Sequence, residues 1–120
     1  MPTNPEARGD RRCVIPDAAF AIRHRQSGQV RNFFLELDQG TATVKRFAEK
    51  IRSYVAWYHA GCPGWDGEHV TILTVCRSTA RAESLRQAAK SVVADGTPPG
   101  RKTPAGLFRF ATQAHWSLEN

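Results

Sequence analysis

The segment Val70-Thr-Ile-Leu-Thr-Val-Cys76 restricts the fold more than any other stretch of this chain. Its residues are mostly β-branched or apolar, and none is charged. Such a strand has little to offer water on either side, so it predicts a strand buried on both faces. Strands of that kind occur where helices cover a parallel or mixed sheet, which makes the chain α/β. The other segments agree. Residues 18–25 and 30–38 read as two strands joined by a turn at Gly28, an antiparallel hairpin. Between residues 41 and 59, Val44, Phe47, Ala48, Ile51 and Val55 recur at spacings of three and four, the stripe of a helix capped by Thr41. Ser78 caps a second helix, which Asp95-Gly96 ends, and residues 107–115 alternate as a last strand. The expected order is hairpin, helix, strand, helix, strand: a mixed β-sheet flanked by helices.

A chain of 120 residues bounds this to one domain. Residues 1–13 are polar, contain Pro2, Pro5, Gly9 and Arg11-Arg12, and read as a flexible basic arm. Residues 14–120 are then the single folded domain. No apolar run approaches the ~20 residues of a membrane helix, and the N-terminus lacks the apolar core of a secretory signal. Cys13, Cys62 and Cys76 are odd in number and form no CxxC pair, which argues against a disulfide framework and for a reducing, cytoplasmic setting. His59 and Cys62 are the nearest approach to zinc-ligand spacing, and two residues do not make a site. No GxxxxGK[ST] occurs, and no GxGxxG precedes a helix, which disfavours an NTPase or a dinucleotide enzyme.

The formal charge is +6, with 13 Arg against 4 Lys. Guanidinium groups grip phosphate at two points, which favours a nucleic-acid partner. A GC-rich genome would also raise the Arg share, but it does not account for the net charge. Arg23, Arg25 and Arg31 crowd the hairpin tip. Lys45 and Arg46 open the first helix, and Arg77 and Arg81 flank the start of the second, where free N–H groups favour phosphate. Ordinary surface charge is the alternative for all of these. Trp65 and Trp116 are candidates for stacking on bases, whereas Trp57 suits core packing.

Acidic residues are scarce, so their places carry information. Asp17 stands at the mouth of the first strand, and Glu36 and Asp38 lie two apart at the end of the second, on one face. The hairpin returns these ends to one another. Counting from the turn puts Arg25 near Val30 and Asp17 opposite Asp38, within a residue or two. Three converging carboxylates repel one another unless a hard cation lies between them. Bound magnesium or manganese would activate water against a phosphodiester. The alternative is a turn residue beside two solvated strand-end charges.

Pro16-Asp17, a hairpin and Glu36-Leu37-Asp38, followed by helix, strand, helix and strand, resemble the PD-(D/E)xK nuclease superfamily and its restriction endonuclease-like core. More closely, Pro16-Asp17-Ala18, Glu36-Leu37-Asp38-Gln39-Gly40-Thr41 and Lys50-Ile-Arg-Ser-Tyr54 resemble the replication-relaxation proteins of plasmids and mobile elements, over roughly residues 15–95. The resemblance implies a magnesium- or manganese-dependent DNA endonuclease or nickase-like domain, with DNA as partner and a homodimer as one assembly. It implies Asp17, Glu36 and Asp38 as metal ligands. Asp38 replaces the superfamily's usual lysine, so Lys50 on the helix becomes the candidate lysine, supported by Tyr54. Lys50 as a solvated flank residue is the alternative, and Lys45 and Arg46 lie nearer the helix start. Asp38 in the lysine position also favours a second reading, a nuclease-like DNA-binding module without catalysis. The replication-relaxation proteins usually carry a winged-helix segment ahead of this domain. Only a short tail precedes Pro16, so a fragment or a minimal relative is expected.

Overall fold

The computed structural model describes residues 14–65, 67 and 69–113. The expected basic arm, Cys13, His115 and Trp116 lie outside the described residues. The elements run β1 (Ala18–Arg23), β2 (Val30–Leu37), α1 (Val44–His59), β3 (Val70–Cys76), α2 (Thr79–Gly96) and β4 (Phe108–Thr112). They form one sheet in the order β1-β2-β3-β4. The β1/β2 pair is antiparallel, and β2/β3 and β3/β4 are parallel. The fold is therefore α/β with a four-stranded mixed sheet and two helices.

Several boundaries differ from the sequence reading, each for a local reason. The hairpin loop is longer than expected. His24 N–H donates to Gln29 O (2.7 Å), and Gly28, at φ +74°, donates to His24 O (2.8 Å). Arg23 thus pairs with Val30, two residues earlier than counted. Helix α1 is capped by Thr43, whose hydroxyl accepts from Arg46 N–H (3.0 Å), and not by Thr41. Gly40, at φ +81°, turns the chain before the helix can start. Val44, placed on the stripe by spacing, is consequently exposed in the first turn. Ser78 caps α2 as expected, accepting from Arg81 N–H (3.1 Å). Asp95-Gly96 does not end α2. The helix takes in Gly96, and Thr97 closes it by donating to Val93 O (2.6 Å). A Cβ on Gly96 would lie 3.2 Å from Val55 Cγ1, so glycine permits the close approach of the two helices here.

Both helices cover the same face of the sheet. Phe34, Ile72 and Phe108 are paired across β2, β3 and β4, so their side chains share one face. Phe34 and Ile72 pack with Tyr54 and Trp57 of α1. Phe108 and Phe110 pack against a cluster joining Phe47, Ile51 and Val55 of α1 with Leu85, Ala89 and Val92 of α2. Trp57 is a core residue, its indole N–H donating to Pro63 O (2.9 Å). Central strand β3 is buried almost throughout, as its composition requires. The opposite face carries Phe20 stacked on Phe33, with ring centroids 5.1 Å apart. The helices flanking the sheet form one layer among the described residues. No helix among them is long and apolar enough to cross a membrane.

The far ends of the helices are clasped to the loop before β4. Thr97 donates to Val93 O, so it accepts from the Thr103 hydroxyl (2.7 Å), and Thr103 accepts from His59 Nε2–H (2.7 Å). His59 Nδ1 is left buried without a partner. Burial, and then the charge of Arg101, lowers the His59 pKa. The unfolded chain therefore binds a proton below about pH 6.5 that the folded chain refuses. Stability should be level above that pH and fall as the pH drops toward the lowered native value. Thermal melts of wild type and His59→Gln between pH 8 and 5 check this: the variant should show a flatter profile.

Candidate active site

The site lies where β1 starts and β2 ends, beneath α1. Asp17 N–H donates to Leu35 O (2.9 Å), and its Oδ2 accepts from Leu37 N–H (2.7 Å). Ala18 pairs with Leu35, so Asp17 falls opposite Glu36 and not Asp38. Glu36 in turn pairs with Thr74 on β3. Strand alternation therefore sets Glu36 and Thr74 side by side on the face beneath the helices, with Asp17 next to Glu36 at the entry to β1.

Glu36 is 5% exposed, and such a carboxylate needs partners. Tyr54 supplies one, its hydroxyl donating to Oε2. Lys50 supplies the other, with Nζ 2.5 Å from Oε1. Lys50 and Tyr54 are four residues apart on α1 and so project from one side of it. Tyr54 is fully buried, while the Lys50 side chain remains 45% exposed. Burial first, then the bond to Glu36, raises the Tyr54 pKa, so the phenol stays protonated and acts as a fixed donor. Lys45 and Arg46 lie nearer the helix start, yet it is Lys50 that meets Glu36, because α1 starts at Val44 and lies over the sheet.

Asp38 requires a correction. Its carboxylate does not stand free beside Glu36. Arg81 holds it in a two-point pair, Nε to Oδ2 (2.8 Å) and Nη2 to Oδ1 (3.0 Å), and also donates to Ala42 O (2.6 Å). Arg81, assigned to DNA from its place at a helix start, is thereby engaged inside the protein. The Arg81 pair, helped by the Gly40 N–H, holds the Asp38 carboxyl below the usual range despite its burial. Among the described residues, no three His, Cys, Asp or Glu side chains gather as a metal cage.

A cleft of about 460 Å³ opens over these groups, lined by Glu36, Asp38, Arg46, Lys50, Ser53 and Thr74 among others. Thr74 was missed by the sequence reading. It is 1% exposed, and its hydroxyl has no hydrogen-bond partner. Leaving a buried hydroxyl unpaired costs about 1–3 kcal/mol. The available signal was parity: Thr74 shares a face with Val70, Ile72 and Cys76, where a hydroxyl is out of place.

The basic residues divide between two ends of the sheet. Arg46, Lys45 and Arg77 lie toward the cleft, with Arg77 donating to Gln39 O (3.5 Å). Arg23, Arg25 and Arg31 sit at the hairpin tip, and Arg31 is roughly 17 Å of strand from Glu36. Arg31 and Trp65 line a separate cleft of about 640 Å³, where Trp65 also packs edge-on against Phe34 (5.1 Å). Among the described residues, the thiols of Cys62 and Cys76 do not line the cleft. Burial raises the pKa of Cys62 and pushes Cys76 up to about 11, which keeps both protonated.

No curated protein and no solved structure matches the chain. A sequence profile for replication-relaxation proteins matches residues 3–67, over half its length and including Asp17, Glu36, Lys50 and Tyr54. The chain belongs to the replication-relaxation family.

Proposed function

We propose that this chain is a metal-dependent DNA phosphodiesterase domain, endonuclease or nickase-like, acting in plasmid replication or mobilisation. The observation that carries the reading is Glu36, a buried carboxylate held between Lys50 and Tyr54 at the floor of a cleft, with Asp17 on the adjoining strand. The family supports a partner in replicating DNA. A restriction endonuclease-like core is consistent with the mixed sheet and the order of elements.

The residues suit a hard divalent cation. Asp17 and Glu36 offer carboxylate oxygens, and Thr74 offers a hydroxyl that nothing else satisfies. Magnesium takes one or two carboxylates and fills the rest of its shell with water and substrate phosphate, so a closed cage is not required. When bound, magnesium or manganese supplies Lewis-acid activation of water and neutralises phosphate charge. The protein's own groups do the positioning. Tyr54 fixes the Glu36 carboxylate in one orientation. Lys50 spends one proton on Glu36 and, being half-exposed, presents its other N–H groups to a phosphate oxygen gaining charge. Arg46 on the cleft wall adds a phosphate contact.

The test is supercoiled plasmid with wild-type protein in magnesium or manganese, and with chelator. Nicked or linear product that appears only with metal is the expected result. Intact plasmid across several divalent metals would sink the reading. The second reading, a DNA-binding module without catalysis, is favoured by Asp38 being tied to Arg81 at the usual lysine position. It predicts intact plasmid together with DNA affinity that weakens as salt rises.

A further inference from the structure

Thr74 has no structural reason to be threonine. It lies in the middle of β3 with its side chain toward the helices, 1% exposed, among Val70, Ile72 and Cys76 on the same face. Valine has the same shape and would leave no hydroxyl unpaired. The unpartnered oxygen sits on the strand next to Glu36, directly paired with it, at the wall of the cleft.

We propose that Thr74 Oγ1 is the third oxygen of a divalent-cation site, joining Glu36, its partner across β2 and β3, and Asp17 at the entry to β1. The cation is a hard one of the magnesium or manganese class, because every donor is oxygen. This rests on the metal-dependent reading above. Asp38 does not occupy the third place, because it lies two residues beyond the Glu36–Thr74 pair and turns its carboxylate to Arg81. The hydroxyl is neutral, so it adds a donor next to Glu36 without adding repulsion between carboxylates. A cation there would share Glu36 with Lys50 and Tyr54.

The test measures manganese binding by paramagnetic resonance of the free ion, together with thermal melts without metal, on wild type, Thr74→Val, Thr74→Ser and Glu36→Gln. Wild type and Thr74→Ser should bind alike. Thr74→Val should bind at least about tenfold more weakly, and Glu36→Gln should lose binding. Without metal, Thr74→Val should melt at or above wild type, because it removes an unpaired hydroxyl. Thr74→Val binding manganese as wild type does would overturn the proposal while leaving the Glu36 site standing. A lower metal-free melting temperature for Thr74→Val would overturn it too, by showing an internal partner for the hydroxyl. Wild type that binds no manganese would remove the cation reading itself, and the role of Thr74 with it.

Discussion

Glu36→Gln should reduce metal-dependent plasmid cleavage by at least about 100-fold while the protein stays folded. Glutamine keeps the shape and still offers Tyr54 an acceptor, so the buried phenol is not orphaned. The charge that attracts a cation is gone, and Lys50, half-exposed, turns to water. Lys50→Met separates the roles of the pair. Lys50 stands where it competes with a cation for Glu36, so its removal should leave manganese binding equal or tighter. Cleavage should still fall by about 100-fold, because the positive charge facing the phosphate is lost. Parallel binding and cleavage assays on the two variants check this. If Lys50→Met cleaves at the wild-type rate, Lys50 serves only to neutralise a buried carboxylate.

Arg81→Ala should destabilise the protein by about 3 kcal/mol at neutral pH, the largest effect on stability expected from any surface-reaching residue here. It leaves Asp38, whose side chain is 7% exposed, without its cation, and releases the carbonyl of Ala42 at the turn into α1. The sign of the pH dependence follows. In wild type the Asp38 carboxyl titrates below its ordinary value of 3.8, so the pair stabilises the fold above that value. That contribution is lost as the pH falls through the lowered native pKa. In Arg81→Ala burial is opposed only by the weaker effect of the Gly40 N–H and raises the carboxyl, so mild acid should narrow the gap between variant and wild type. Urea unfolding at pH 7 and pH 4 tests it. Equal stability of the two proteins at pH 7 would show that the pair contributes nothing net, as happens for many exposed ion pairs.

The correction at Asp38 changes what the basic residues mean. A +6 chain invites the assignment of every arginine to DNA. Arg81 is instead spent on locking the β2 end to α2, and Arg23, Arg25 and Arg31 sit at the opposite end of the sheet from Glu36. Of the basic residues assigned to DNA from the sequence, Lys45, Arg46 and Arg77 lie toward the cleft. Lys50 and Tyr54, the two side chains that meet Glu36, come from a helix and not from the strand that carries it.

Much of the fold was legible because it rests on local periodicity. The apolar run 70–76 is a buried strand because it has no polar face, and Phe47, Ile51 and Val55 lie inward because a helix repeats every 3.6 residues. The meeting of Asp17 with the end of β2 followed from a hairpin's return path, with an error of two residues from an unforeseen loop. Long-range pairing was not legible. No local rule tells Arg81 to choose Asp38, 43 residues away, over a phosphate. Nor does any local rule show that Thr74 sits beside Glu36, since the register of two parallel strands joined through a helix is set by packing. The sequence by itself determined the elements and the identity of the acidic, lysine and tyrosine groups. Only the tertiary structure decided which partner each carboxylate takes, Lys50 and Tyr54 for Glu36 and Arg81 for Asp38, because that depends on which charges the folded chain brings within hydrogen-bonding distance.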